Sequence, residues 1–189
     1  LRLWQSLLNA LPPNMRPCLL HHAPNFGKLL GTDIDCWLPS RFLPSHFVRA
    51  VADSRMMVAQ HVKYESTSHF FGIASRDTAG NLTILRIDMT SDFRYSISPW
   101  LTGRIYFSES EFAQSQIGDD AYTTLAPDME FGYYLVKRVA KGDLRLEDGE
   151  HLTSLYRLAP VNCRQRIKRF WSDRTIEKLC HAAEAGEWE

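Results

Sequence analysis

The stretch that decides the fold is Lys28–Pro39, which reads Lys-Leu-Leu-Gly-Thr-Asp-Ile-Asp-Cys-Trp-Leu-Pro. Its Gly-Thr pair predicts a turn, and the residues that follow predict a short strand. Side chains two residues apart in a strand point to the same side of a sheet. One face of this strand therefore carries two carboxylates, and the other face is apolar and suits a core. The first face holds Asp33, Asp35 and Trp37, and the second holds Ile34, Cys36 and Leu38.

The two neighbouring carboxylates of Asp33 and Asp35 repel each other, and a shared proton or a bound cation relieves that repulsion. Mg²⁺ prefers carboxylate oxygens and often bridges them to substrate phosphates. A solvated turn with two acids is the alternative, because an isolated Asp-x-Asp is common by chance. The pattern alone leaves both interpretations open.

A second run, Leu82–Met89, is strand-like and has one acid near its end, Asp88. The segment Lys63–Ser75 also predicts a strand, and the turn-forming residues 77–81 between the two runs predict a hairpin. The hairpin would return Asp88 toward the first two aspartates. Three carboxylates from two adjacent strands would make a two-metal centre for phosphoryl or nucleotidyl transfer.

Arg86 lies two residues before Asp88 and therefore shares its predicted face. A guanidinium there can neutralise the carboxylate, or it can bind a phosphate group in two-pronged fashion. The sequence favours neither role over the other.

The composition is that of a globular protein, with 44% hydrophobic residues and equal numbers of acidic and basic side chains. The formal net charge of zero argues against a general nucleic-acid binder. The four cysteines form no Cys-x-x-Cys pair, so we expect free thiols in a reducing compartment. No apolar run approaches membrane-spanning length and no signal peptide is recognisable, so we expect a cytoplasmic protein. The absence of a Gly-x-x-x-x-Gly-Lys-Ser/Thr motif excludes a P-loop kinase within this chain.

Helical spacing of apolar residues predicts a helix over Leu1–Leu11, which Pro12 stops, and another over Pro44–Gln60. A third, Pro127–Lys141, has proline at its first position and Gly142 at its end. Further helices are predicted to the end of the chain. We therefore predict an α+β protein, with a small mixed sheet flanked by helices over residues 1–125 and a helical region over 126–189. The further helices are predicted at Leu152–Leu158, Cys163–Trp171 and Thr175–Ala185.

The order of helix, strand, Gly-Thr-Asp-Ile-Asp motif and later aspartate-bearing strand resembles the nucleotidyltransferase superfamily of the DNA polymerase beta type. Residues 125–142 resemble a group of such proteins encoded with bacterial polysaccharide genes, some of them joined to a thymidylate-kinase-like domain. The resemblance covers roughly residues 15–171 and implies the nucleotidyltransferase fold.

The resemblance also implies an activity: a nucleoside monophosphate moves from a nucleoside triphosphate to an unidentified acceptor, with Mg²⁺ or alternatively Mn²⁺ as cofactor. A kinase-like domain or partner is implied as well, and neither a membrane nor a nucleic acid is. The implied catalytic and metal-binding residues are Asp33, Asp35 and Asp88. The implied nucleotide-binding residues are Gly31, Thr32, Arg86, Lys137 and Lys141.

One departure from the superfamily pattern concerns the phosphate site. A Gly-Gly or Gly-Ser pair usually stands about 9–13 residues before the first aspartate and opens a helix whose N-terminus holds phosphates. This chain has His21-His22 or His22-Ala23 there. Histidine is the usual proton carrier near neutral pH, but it lacks the backbone access of glycine. The alternative function is therefore a catalytically degenerate module that binds nucleotide or regulates a partner.

Overall fold

A computed structural model of the protein describes residues 2–21, 33–54, 56–76, 80–95, 103–118 and 123–188. The chain divides into two compact units, Leu1–Thr124 and Leu125–Glu189. Within the described residues, none of the helices is both long enough and apolar enough to cross a membrane.

The first unit is built on a mixed sheet of seven strands, labelled in chain order. Strands β2 and β5 pair in parallel, as do β1 and β9, whereas β1 with β2, β3 with β4, and β4 with β5 are antiparallel. The spatial order is β3-β4-β5-β2-β1-β9-β8, and β6 and β7 form a separate ribbon. The strands are β1 (Cys18–Leu19), β2 (Ile34–Trp37), β3 (Met57–Lys63), β4 (Ser68–Arg76), β5 (Leu82–Thr90), β6 (Phe93–Tyr95), β7 (Arg104–Phe107), β8 (Gln116–Gly118) and β9 (Thr123–Leu125).

Helices α1 (Arg2–Ala10) and α2 (Ser45–Asp53) supply apolar side chains to one hydrophobic core with the sheet. The predicted apolar face of β2 lies in that core, since Ile34 is 5% exposed and Cys36 and Leu38 are fully buried. A shorter helix, α3 (Glu109–Gln114), begins with a capping box formed by Ser108 and Glu111. The other face of β2 is thus left to carry the two aspartates. The apolar face of β2 shares its core with residues of α1, of α2 and of the turn directly after α1, namely Trp4, Leu7, Leu8, Leu11, Phe47 and Val51.

The predicted helix over Pro44–Gln60 is wrong in its second half. The helix ends at Asp53, and Met57–Lys63 forms the edge strand β3. The apolar spacing fits both structures, but Val58 and Val62 are β-branched, and six of the seven residues of the segment pair with β4. The predicted strand Lys63–Ser75 accordingly begins only at Ser68, because residues 64–67 form the turn between β3 and β4.

The second unit contains four helices in the described residues, and they enclose a core of their own. Helix α4 has the predicted bounds, and Gly142 ends it with a left-handed φ of 66°. Every element after Pro127 in the described chain is helical, and the predicted α+β class with a mixed sheet is confirmed. The helices are α4 (Pro127–Lys141), α5 (Leu146–Leu158), α6 (Pro160–Ile167) and α7 (Asp173–Ala185).

All four cysteines are free and buried: Cys18 and Cys36 in the first unit, Cys163 and Cys180 in the second. Burial raises the pKa of Cys163 to about 12, and the nearby Asp128 carboxylate adds to that shift. A thiol with so high a pKa is almost entirely protonated at neutral pH, and only the thiolate reacts readily. Cys163 therefore behaves as a small apolar core residue.

Gly149 in α5 leaves the space that the indole of Trp188 fills. A Cβ at position 149 would stand 2.6 Å from Trp188 Cδ1 and 2.7 Å from Trp188 Cγ. The ring is also fixed by a hydrogen bond of 2.9 Å from its Nε1 to Thr153 Oγ1. Substitution of this glycine therefore competes directly with the packing of Trp188.

We expect Gly149→Ala to lower the free energy of unfolding by about 1–3 kcal/mol, because the added methyl overpacks the Trp188 contact. Urea denaturation measures the change. In a Trp188→Ala background the same substitution should be neutral or stabilising, because alanine has about 1 kcal/mol better helix propensity than glycine. Equal destabilisation in both backgrounds would show that Trp188 is not the cause.

Two histidines on neighbouring strands give the first unit a sensitivity to acid. His61 Nε2 and His69 Nδ1 lie 2.9 Å apart, and His69 is 4% exposed. Burial lowers the pKa of His69 below its usual value, and the charges of His61 and Lys63 lower it further. As pH falls below about 6.5, the unfolded chain therefore takes up this proton before the folded chain does.

Stability should consequently fall as pH drops below about 6.5, by at most about 1.4 kcal/mol per pH unit for this one group. His69→Gln should reduce that loss, because glutamine keeps a polar amide but has no titration. Urea denaturation at about pH 7.5 and about pH 5 tests the difference. The exposed His181 serves as control, and a His181→Gln variant with the same reduction would refute the assignment.

Candidate functional site

Two carboxylates stand side by side where β2 and β5 pair. The parallel register places Asp35 opposite Asp88, and it places Ile34 opposite Ile87. Register partners share a face, and the isoleucine pair is buried in the core. Asp35 and Asp88 therefore lie together on the other face, which we call the carboxylate face.

Asp33 lies one residue before β2, and it forms an ion pair with Arg86. Arg86 Nε is 3.2 Å from Asp33 Oδ1, and the two side chains are 46% and 48% exposed. An ion pair this exposed contributes about 0–1 kcal/mol to stability. The structure therefore pairs Arg86 with Asp33 in a contact that a ligand can replace at small cost.

Asp35 is bonded by a histidine that lies two residues beyond the end of the neighbouring strand β1. Leu20 N donates to Asp35 O at 3.1 Å, which places the following residue beside the carboxylate. His21 Nε2 then lies 2.7 Å from Asp35 Oδ2, and both side chains are partly exposed. His21 stands at the position where the superfamily that this sequence resembles has a glycine pair. It therefore contacts Asp35, one of the predicted metal ligands.

Asp88 is bonded by a phenol that the sequence analysis did not select. The Tyr64 hydroxyl donates to Asp88 Oδ1. The pKa of Tyr64 lies well above its usual value because its hydroxyl is desolvated and because the Asp88 charge disfavours a phenolate. The residue as a whole is 48% exposed. The sequence does not predict this contact, because its predicted strand includes Tyr64, which the structure places in the turn between β3 and β4.

The buried thiol of Cys36, on the core side of β2, responds to both carboxylates. Burial is the main cause that raises its pKa well above the usual value, and the charges of Asp35, Cys18 and Asp88 follow in that order. The charges of Asp35 and Asp88 therefore both disfavour the ionised form of this one buried thiol.

The donor chemistry of this face fits a hard cation, since Asp35 and Asp88 present carboxylate oxygens from adjacent strands. Among the described side chains, however, no group of three or more His, Cys, Asp or Glu residues is arranged to hold a metal ion. Instead, Arg86, His21 and Tyr64 each bond one of the three aspartates. A cation would have to replace these protein donors.

The remaining predicted residues lie elsewhere in the chain. Gly31 and Thr32, together with His22, fall outside the described residues. Lys137 and Lys141 belong to α4 of the second unit. Lys137 is 7% exposed, and its Nζ lies 5.5 Å from the centre of the Tyr133 ring. Their predicted role in nucleotide binding stays a prediction.

We expect Arg86→Gln to change the free energy of unfolding by less than about 1 kcal/mol, because its ion pair is exposed. If Asp33 serves a cation, loss of the competing guanidinium should tighten Mg²⁺ binding, measured by isothermal titration calorimetry. Arg76→Gln is the matched control, since Arg76 is an exposed arginine on the same sheet. Weaker Mg²⁺ binding by Arg86→Gln alone would contradict the competition between Arg86 and a metal.

Comparisons with known proteins add one finding. No protein-family model matches the chain, and no curated protein matches it. A solved structure described as a "putative nucleotidyltransferase from H. pylori" is similar at 10% sequence identity and a TM-score of 0.41, over 98% of this chain and 90% of that one. The identity and the TM-score are both too low for this likeness to identify an activity or a site residue.

Proposed function

We propose that the carboxylate face binds a nucleoside triphosphate with Mg²⁺, or alternatively Mn²⁺, and transfers its nucleoside monophosphate to an acceptor. The observation that carries the proposal is the register pairing of Asp35 with Asp88 on the face opposite the core. Two carboxylates on adjacent strands repel each other, and a divalent cation with a polyphosphate relieves that repulsion.

In this proposal Asp35 and Asp88 would hold the cation, and Asp33 would be available as a further ligand once its ion pair with Arg86 is broken. The cation, when bound, offsets the negative charge that develops on the phosphates. Arg86 then has a free guanidinium beside the site, which suits a phosphate oxygen. Gly31, Thr32, Lys137 and Lys141 are proposed as further nucleotide contacts on the strength of the resemblance alone.

Asp88 is the residue proposed to take the proton from the acceptor. A general base has to lie within hydrogen-bond reach of the hydroxyl that it deprotonates. Asp88 already accepts a hydrogen bond from a hydroxyl group, that of Tyr64. The carboxylate is therefore placed to accept a proton from a hydroxyl that approaches over the same face.

A second candidate is a degenerate module with the same fold, which binds nucleotide weakly or regulates a partner. It is favoured by the protein donors on all three aspartates, from Arg86, His21 and Tyr64. These three protein donors offset part of the repulsion between the aspartates that a cation would otherwise offset. The position of His21 in place of a glycine pair supports the same candidate, because histidine lacks the backbone access that glycine gives to phosphates.

The wider setting follows from the resemblance and is proposed with it. The acceptor would belong to surface polysaccharide metabolism, the protein would work in the cytoplasm, and a kinase-like domain or partner would accompany it.

Asp35→Asn should abolish the Mg²⁺-dependent thermal stabilisation by nucleoside triphosphate, because the amide cannot replace an anionic ligand. Binding at about 100 times Kd stabilises a protein by about 2.7 kcal/mol, so the loss is large enough to measure by thermal shift. Without metal, the variant should be as stable as the parent protein or slightly more so, since one of two like charges is gone.

The matched control is Asp53→Asn, an exposed aspartate at the end of α2 in the same unit. It should keep the full effect of nucleotide and Mg²⁺. Stabilisation by nucleotide that needs no Mg²⁺ and survives Asp35→Asn would exclude the transferase and favour the degenerate module. Loss of stability in the absence of any ligand would show that the His21–Asp35 contact is structural.

A further inference from the structure

The hydroxyl that already rests on the proposed base belongs to the protein itself. Tyr64 donates to Asp88 Oδ1, and Asp88 is the residue proposed above to deprotonate the acceptor. We propose that Tyr64 is an acceptor of the transferred nucleotide, so that the protein nucleotidylates its own tyrosine. This inference rests on the proposed function, since it needs a bound nucleoside triphosphate.

Backbone geometry directs Tyr64 over the carboxylate face. The register pairs Lys63 with His69, and Tyr64 N donates to Ser68 O at 3.3 Å in the turn that follows. Tyr64 therefore stands opposite Ser68, which itself pairs with Thr90 of β5 on the face of Asp88. The turn therefore places the phenol of Tyr64 across strand β4, beside the carboxylate of Asp88.

Exposure distinguishes Tyr64 from the other hydroxyl groups nearby. Ser68 and Thr90 are 5% and 8% exposed, and their hydroxyl oxygens lie 3.0 Å apart in a hydrogen bond. Ser91 is 2% exposed. Tyr64 as a whole residue is 48% exposed, so its side chain borders solvent even though its hydroxyl is bonded to Asp88. Among these hydroxyls, Tyr64 alone combines exposure with a hydrogen bond to an aspartate of the site.

The proposed step balances without any further reactant. The Tyr64 oxygen attacks the α-phosphorus of the triphosphate, and its proton passes to Asp88. A phosphodiester forms between the phenolic oxygen and the α-phosphorus, the bond from that phosphorus to the bridging oxygen breaks, and pyrophosphate leaves. The product is a tyrosine carrying one nucleoside monophosphate, and no oxidant or reductant is needed.

The experiment incubates the whole chain with Mg²⁺ and, separately, ATP, GTP, CTP and UTP, and measures intact mass. With one of these nucleotides we expect a gain of one nucleoside monophosphate per chain, mapped to Tyr64 by peptide fragmentation. Tyr64→Phe should lose the adduct, and its Mg²⁺-dependent thermal stabilisation by the same nucleotide should be equal to or larger than that of the parent protein, because the variant removes a hydroxyl that competes for Asp88. Tyr106→Phe, at a partly exposed tyrosine of β7, should keep both.

Other results overturn the inference in distinguishable ways. Nucleotide binding without an adduct would overturn self-modification and leave the proposed function standing. Absence of both binding and adduct would overturn the two together. An adduct on His21, recognised by its loss in acid, would assign the reaction to the imidazole instead of the phenol. An undiminished adduct in Asp88→Asn would remove the base from the mechanism and overturn the proposal.

Discussion

The first unit depends on the parallel pairing of β2 with β5, because that one register fixes both faces of the sheet. On the core side it brings Ile34 and Ile87 together among the buried residues of α1 and α2. On the other side the same register forces Asp35 and Asp88 to be neighbours. A shift of one residue would expose the isoleucines and bury the aspartates, so the energy of the core enforces the proximity of the charges.

The repulsion on the carboxylate face is met by three different kinds of donor. Arg86 brings a guanidinium, His21 an imidazole, and Tyr64 a hydroxyl. None of the three contacts is fully buried, so each can exchange for a ligand without stranding a charge in an apolar interior. The protein therefore offsets the repulsion between the aspartates with its own side chains, and it does so at contacts that lie near solvent.

Sequence reasoning reached the parts of this site that follow from strand periodicity. Alternation in β2 predicted an apolar face at Ile34 and Cys36, and the turn after β4 predicted the hairpin that contains β5. The contacts of His21 and Tyr64 were out of its reach, because they depend on which strands become neighbours and on where β3 ends. The segment after Asp53 fits a helix as well as a strand, and only pairing with β4 decides between them.

Some strand pairings in the sheet close a short stretch of chain and others close a long one, and the two kinds differ in how they form. Strands β3, β4 and β5 follow one another as an antiparallel meander, whose contacts close over short loops. The pairing of Asp35 with Asp88 closes a loop of more than fifty residues, and chain entropy opposes long closures more than short ones. During folding, the meander can therefore form before β2 docks on it. The two aspartates then meet only when β2 docks against β5, so a chain that displays them together has already formed its meander.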